Sequence, residues 1–272
     1  MTTALPTRNR LAEPPARVTE LLQPIRKAAA AGTENLFAAP LESICPRGVA
    51  TTIDRYLLTG PGDRGSYLRV GIFAGIHGDE PSGSLAAVEL LRRLHKNPEP
   101  ALGYELFVYP VCNPWGFERN TRWLKSGADM NREFWRGTSE PGVLLLEGQL
   151  LRLGFDGIIA LHSDDTSAGL YGFVKGHQLT RHVLEPALES ASRFLPRNFD
   201  RSIDNFQANS GIIEQGYPGI LGAPPVPGPK PFEIVFETPN AAPLDLQIEA
   251  HIAAVESILG NFRSMIAQAQ NI

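Results

Sequence analysis

Cysteine is scarce: Cys45 and Cys112 are the only two in 272 residues. That excludes a disulfide-stapled framework, and the pair reads as two free thiols of a reducing compartment rather than as one bridge. Long apolar runs are lacking too. The densest, residues 143–153, is broken by Glu147, Gln149 and Arg152. Nothing reaches the ~18 apolar residues of a membrane-spanning helix. Residues 1–15 hold no apolar stretch of signal-peptide length. Basic charge is not in surplus: 25 Lys and Arg face 29 Asp and Glu, for a net charge of −4. The overall basic field expected of a nucleic-acid binder is therefore missing. There is no internal repeat and no low-complexity linker. These absences predict a cytoplasmic protein with neither a nucleic-acid nor a membrane partner.

What is present is ordinary for a globular chain: 43% hydrophobic and 20% charged residues. A chain of this length can bury a sizeable core without a disulfide or structural metal. Proline (23) and glycine (26) are frequent but aperiodic, which predicts many loops. Residues 1–45 read as an N-terminal extension packed on the domain, with one helix inside 11–31 interrupted near Pro24. Residues 46–272 read as a single domain. Apolar patterning predicts strands at 49–59, 67–74, 104–111, 157–161, 170–174 and 232–236. Helices are predicted from Pro81 onward with Leu85, Val88, Leu91 and Leu94 at helical spacing, and at 142–153, 179–194 and 244–258. Residues 113–142 read as a long polar connection, and a structureless connection of that length is usually functional. Strands alternating with helices predict an α/β fold with a largely parallel sheet.

Ligands of open α/β sheets bind outside the carboxyl ends of strands. Four apolar strands here run straight into polar residues. They lead to His77-Gly78-Asp79-Glu80, to Asn113-Pro114 and an Arg-rich loop, to His162-Ser163-Asp164-Asp165, and to Glu237-Thr238-Pro239. Two histidines and one carboxylate form a catalytic zinc ligand set that leaves a fourth position for water. His77 and Glu80, three apart across a loop-to-helix junction, can reach one ion, and His162 would join them from a neighbouring strand end. A lone His-x-x-Glu carries little by itself; the strand-end placement of both histidines gives it weight. Asp164 and Asp165 would either line the pocket, orient His162 or cap a turn. Cys112 lacks a partner histidine at a telling spacing, which argues against a catalytic thiol.

The ordered set His77-x-x-Glu80, Asp129-Met130-Asn131-Arg132, Leu161-His162-Ser163 and Phe236-Glu237-Thr238-Pro239 resembles the zinc carboxypeptidase superfamily. That superfamily includes carboxypeptidase A-like metallopeptidases, murein peptide amidase and the aspartoacylase/succinylglutamate desuccinylase branch. The resemblance runs from about residue 68 to 259. It implies a three-layer αβα fold with a mixed, mostly parallel twisted sheet, and one Zn2+ per chain held by His77, Glu80 and His162. It implies Asp129 behind a histidine ligand, Glu237 as catalytic base, and Arg122 polarising the scissile carbonyl, with Arg119 as the competing candidate. It implies Asn131 and Arg132 gripping a substrate carboxylate. Tyr217, in a glycine-rich loop, roughly matches a mobile substrate-contacting tyrosine, with a packing tyrosine as the alternative. The activity implied is hydrolysis of an amide next to a free carboxylate by a zinc-activated water, as a metallocarboxypeptidase or peptide amidase. The alternatives are an N-acyl amino acid deacylase and a non-catalytic protein that binds a carboxylate ligand on the same fold. The substrate would be a peptide or an N-acyl amino acid. An acid in the pocket, Asp204 or Glu214, would select a basic side chain.

Overall fold

The computed structural model describes residues 16–32, 34–45, 48–62 and 67–269. The N-terminal residues 1–15 and the Cys45 side chain lie outside them. The chain runs α1 (Ala16–Ala30), β1 (Leu36–Ala38), β2 (Leu41–Cys45), β3 (Gly48–Ile53), β4 (Tyr56–Thr59), β5 (Leu68–Ala74), α2 (Pro81–Lys96), β6 (Tyr104–Tyr109), α3 (Pro114–Arg119), α4 (Pro141–Leu153), β7 (Gly157–Asp164) and β8 (Tyr171–Val174). It continues through α5 (His177–Leu179), α6 (Glu185–Ala191), β9 (Ser202–Ile203), β10 (Phe206–Gln207), β11 (Ile212–Ile213), β12 (Phe232–Pro239) and α7 (Leu244–Ala269).

Eight strands form one sheet in the order β1-β4-β6-β5-β7-β12-β8-β11. The central strands β6, β5, β7 and β12 are mutually parallel, and antiparallel pairings flank them. β5 shows why the centre is apolar at every position from Val70 to Ala74: both of its faces are covered. Val70, Ile72 and Ala74 pack with Leu22 of α1, Leu91 of α2 and Ile258 of α7. Phe73 points the other way, into Tyr109, Ile158 and Val143, Leu146 and Leu150 of α4. The Phe73 and Tyr109 rings stack at 4.5 Å. The result is a helix–sheet–helix sandwich with a mixed sheet, the three-layer arrangement that the resemblance implies.

Several predicted boundaries are corrected. The single strand expected over 49–59 is two, β3 and β4, in different sheets. The break falls at Asp54, whose carboxylate takes the Arg26 guanidinium at 2.9 and 3.0 Å. The helix expected at 179–194 begins at His177, passes through a wide π-type turn at Thr180–Leu184, and continues as α6 with Pro186 in its first turn. α7 outruns its predicted end at 258 because Leu259 and Phe262 keep the sheet-facing side apolar. Residues 113–142 are not structureless. Asn113 caps α3, its side-chain oxygen accepting from the Gly116 N–H at 3.0 Å, and Pro114 occupies the first turn, where no N–H is needed.

Candidate active site

The order β6-β5-β7 means that the chain leaves β5 through α2 to one side, then returns through α4 to the other. The two helices lie on opposite faces. Loops at the carboxyl ends of β5 and β7 therefore diverge and leave a crevice, the usual ligand position of an α/β sheet. His77 follows β5, His162 lies near the carboxyl end of β7, and Glu237 sits opposite His162 in the adjoining β12. A cavity of about 340 Å³ opens there.

Three side chains converge at its base. His77 Nδ1 is 2.6 Å from Glu80 Oε1, and His162 Nδ1 is 2.8 Å from Glu80 Oε2. All three residues are buried, with 3%, 7% and 3% of their surface exposed for His77, Glu80 and His162. One donor atom from each can be chosen so that all lie within 4.8 Å of one another. The local sequence builds this. Gly78 has to be glycine because a Cβ would run into the backbone of Gly116 and Phe117 in α3. Its N–H donates to the Thr121 carbonyl at 3.1 Å, which anchors the loop before Pro81 starts α2. Burial opposes the Glu80 charge, but His162 and His77 hold its carboxyl well below the usual range.

Asp129 completes the arrangement from 52 residues away. Its Oδ1 is 3.1 Å from His77 Nε2. The same oxygen accepts from the Asn131 N–H at 2.9 Å, which fixes the carboxylate as the cap of a short turn at Met130–Arg132. Arg122 reaches Asp129 Oδ2 at 2.9 Å and lies 3.6 Å from Glu80 Oε1. Burial lowers the His77 pKa, yet Glu80 and Asp129 outweigh it and raise the net value. The competing Arg119 points elsewhere: it stacks on Trp115 at 4.5 Å and donates to the Trp115 carbonyl.

Glu237 lines the same cavity with no cationic partner among the described residues. Burial first, then Glu80, Asp164 and Asp204, raise its carboxyl well above the ordinary value; Arg122 opposes them weakly. Arg132 and Asn131 also face the cavity. The Asn131 side-chain oxygen accepts from the Leu221 N–H at 2.9 Å and so holds the 219–222 loop. Tyr217 packs its ring on the Arg132 guanidinium at 4.2 Å, and its hydroxyl donates to the Asp204 carboxylate at 2.9 Å. Asp204 lines the cavity, whereas Glu214 is turned outward and accepts from Thr180. Asp164 caps its turn, accepting from the Thr166 N–H at 2.7 Å, and takes the Tyr171 hydroxyl at 2.8 Å; no bond from it to His162 forms. Cys112 is buried and free, and burial pushes its thiol pKa up. Sequence reasoning missed Tyr171 as a cavity wall and the buried polar cluster of Ser82, Thr238, Gln247 and His251 behind it.

The residues present fit a divalent zinc-type ion. Two imidazole nitrogens and a carboxylate are its preferred donors. The second nitrogen of His77 is held by a carboxylate, which orients a ligating ring. Both Nδ1 atoms already face one carboxylate, so a cation between them would replace hydrogen bonds that now hold the trio together.

The family model of the Succinylglutamate desuccinylase/Aspartoacylase catalytic domain matches residues 66–198. No curated protein matches the chain. Among solved structures, a protein described as a metallopeptidase, from Shewanella amazonensis SB2B, superposes with TM-score 0.72 at 23% identity, over 90% of this chain and 91% of that one. A metallo-carboxypeptidase from Burkholderia cenocepacia gives 0.66 at 16% identity, over 92% of this chain and 69% of that one. A succinylglutamate desuccinylase/aspartoacylase from Rhodobacter sphaeroides gives 0.55 at 18% identity, over 85% and 66%. The catalytic-domain model thus matches just under half of the chain, and the solved structures share its fold.

Proposed function

We propose that the protein is a zinc-dependent hydrolase, with one Zn2+ per chain, that cleaves an amide bond next to a free carboxylate as a carboxypeptidase or peptide amidase. The observation that carries this reading is the joining of the His77–Glu80–His162 group, Glu237 and Arg132 in one cavity. His77, Glu80 and His162 hold the ion, and Asp129 fixes the His77 ring. Zinc, when bound, supplies Lewis acidity and acidifies water. Glu237 takes a proton from the attacking water and passes it to the leaving nitrogen; a carboxyl with raised proton affinity suits both steps. Arg122 presents a fixed cation to the carbonyl oxygen as charge develops there. Arg132 offers its planar fork to the substrate carboxylate.

The family match over residues 66–198 favours a second reading, an N-acyl amino acid deacylase. The shape and charge of the cavity support the peptide reading over it. The cavity continues past Phe173, Tyr217, Ile220 and Val235 into a recess of about 180 Å³ walled by Trp135 and Leu221. Such a recess suits the apolar side chain of a terminal residue. Asp79, Glu80, Asp164, Asp165, Asp204 and Glu237 line the main cavity, so against two arginines and a dication its formal charge is still negative. A dicarboxylate is poorly matched to that field. Zinc-loaded protein should be assayed with a panel of peptides and of N-acyl amino acids. Higher kcat/KM on peptides supports the first reading and the reverse supports the second. Binding of either class without turnover moves the protein to a non-catalytic, carboxylate-binding role.

A further inference from the structure

Helix α7 places a histidine directly behind the site. His251 is fully buried, and its ring packs against Phe236 at 5.7 Å. Its Nε2 lies 3.3 Å from Ser82 Oγ and 3.2 Å from Thr238 Oγ1. Thr238 donates to Gln247 Oε1 at 3.1 Å. Gln247 Nε2 donates in turn to the carbonyls of Asn240 at 3.3 Å and Ala242 at 2.8 Å. Ser82, Thr238 and Gln247 are each no more than 2% exposed.

These bonds fix the directions of the Gln247 and Thr238 protons. The Gln247 nitrogen is committed to two carbonyls, so its oxygen must accept from Thr238. Thr238 has a single hydroxyl proton and spends it there. It therefore offers His251 only a lone pair, and Nε2 must carry the ring proton. Burial keeps the ring neutral by pushing its pKa down to about 3. Nδ1 is then a bare acceptor, and it has no partner among the described residues. An apolar side chain in this position would avoid that desolvation cost. Local rules of this kind are broken mainly where function requires it.

What the cluster joins is specific. Ser82 is two residues after Glu80, in the first turn of α2; Thr238 is the residue after Glu237, at the end of β12. We propose that His251, with Ser82, Thr238 and Gln247, is a positioning clamp that ties the start of α2 to the carboxyl end of β12 and so sets Glu237 against the His77–Glu80–His162 group. This rests on the proposed hydrolase reading for its kinetic readout only.

The test compares zinc-loaded wild type with Thr238→Val, His251→Phe and Thr238→Ser, all checked for folding by calorimetry. The clamp predicts kcat about 10–100-fold lower in Thr238→Val and His251→Phe, as for other partners that orient a metal site. KM should stay within about twofold, since substrate contacts are untouched. Thr238→Ser keeps the hydroxyl and should retain most of the wild-type rate. A folded, zinc-loaded Thr238→Val with unchanged kcat, or with kcat and KM altered in parallel, overturns the clamp. If Thr238→Val does not fold, His251→Phe and the additional variant His251→Gln decide on the same criteria. If wild type turns over no amide at all, the hydrolase reading has failed, and zinc affinity by chelator competition judges the clamp alone. A dissociation constant about tenfold weaker in His251→Phe sustains it; an unchanged constant overturns it.

Discussion

His77 is gripped by carboxylates at both ring nitrogens, and the one at Nε2, Asp129, stands 3.1 Å away while also capping the turn that carries Asn131 and Arg132. One side chain thus aligns a metal-ligand candidate and the loop offering the carboxylate grip. Asp129→Asn keeps size and capping ability but removes the charge that polarises the ring. Zinc affinity should fall about 10–100-fold, the usual loss when a histidine's orienting carboxylate is neutralised. Chelator competition measures it, and unchanged affinity would show that Asp129 serves the loop alone.

Glu237→Gln isolates the proton-transfer step. The substitution is isosteric and leaves the three ligand candidates in place, so zinc binding should persist at about one ion per chain, measured by mass spectrometry. Removal of a general base commonly costs about 10²–10⁴ in rate. Turnover at the wild-type level in this variant would remove Glu237 from the chemistry.

The same residue gives a pH signature in the metal-free protein. Its folded pKa is raised, so its contribution to stability is fully present below the ordinary carboxylate pKa of about 4.3 and is lost as pH rises through the folded value. Glu80 and Asp129 have lowered pKa values and contribute in the opposite sense, with stability lost as pH falls; both remain in the variant and largely cancel in a comparison. Metal-free Glu237→Gln should therefore melt close to wild type near pH 4 and above it at pH 8, by roughly 2–4 °C for each kcal/mol recovered. Saturating zinc, which offsets the carboxylate charge, should narrow the gap. A melting difference that does not change with pH would place Glu237 in a more solvated setting than its burial implies.

Much of the site was legible in the sequence because it hangs on strand ends. An apolar run terminating in a histidine or glutamate marks both a buried strand and the sheet edge where ligands collect, so His77, His162 and Glu237 announced themselves. The choice between Arg122 and Arg119 did not, because it depends on the left-handed residue Asn120, which ends α3 and turns the chain between the two side chains. Asp204 was likewise open: it stands at the tip of the β9–β10 hairpin, with φ of 49°, and its approach to Tyr217 is a long-range packing event. Residues 113–142 hid α3 because a helix of six residues is too short for a periodic signal. The Gln247–His251 pair did leave a trace, two polar residues one turn apart on the apolar face of an amphipathic helix. Its meaning required the partners on α2 and β12.

Arg132 supplies the sharpest test of substrate class. Its guanidinium lies under the Tyr217 ring at 4.2 Å, and Tyr217 is in turn held by Asp204, so the fork is presented rather than free to swing. A bidentate pair with a substrate carboxylate forms in the ground state and persists in the transition state, which is uniform binding. Its loss raises KM while kcat changes little. Arg132→Ala should therefore raise KM for free-carboxylate peptides by about 10–100-fold, matching the ~1.5–3 kcal/mol of a charge-assisted hydrogen bond. Peptides amidated at the C-terminus never make that pair and should be affected little. Arg132→Lys keeps the charge but not the fork, and should recover only part of the loss. An equal penalty on free and amidated peptides would mean that Arg132 supports Tyr217 and the loop rather than the carboxylate, and the requirement for a free terminus would have to reside elsewhere in the cavity.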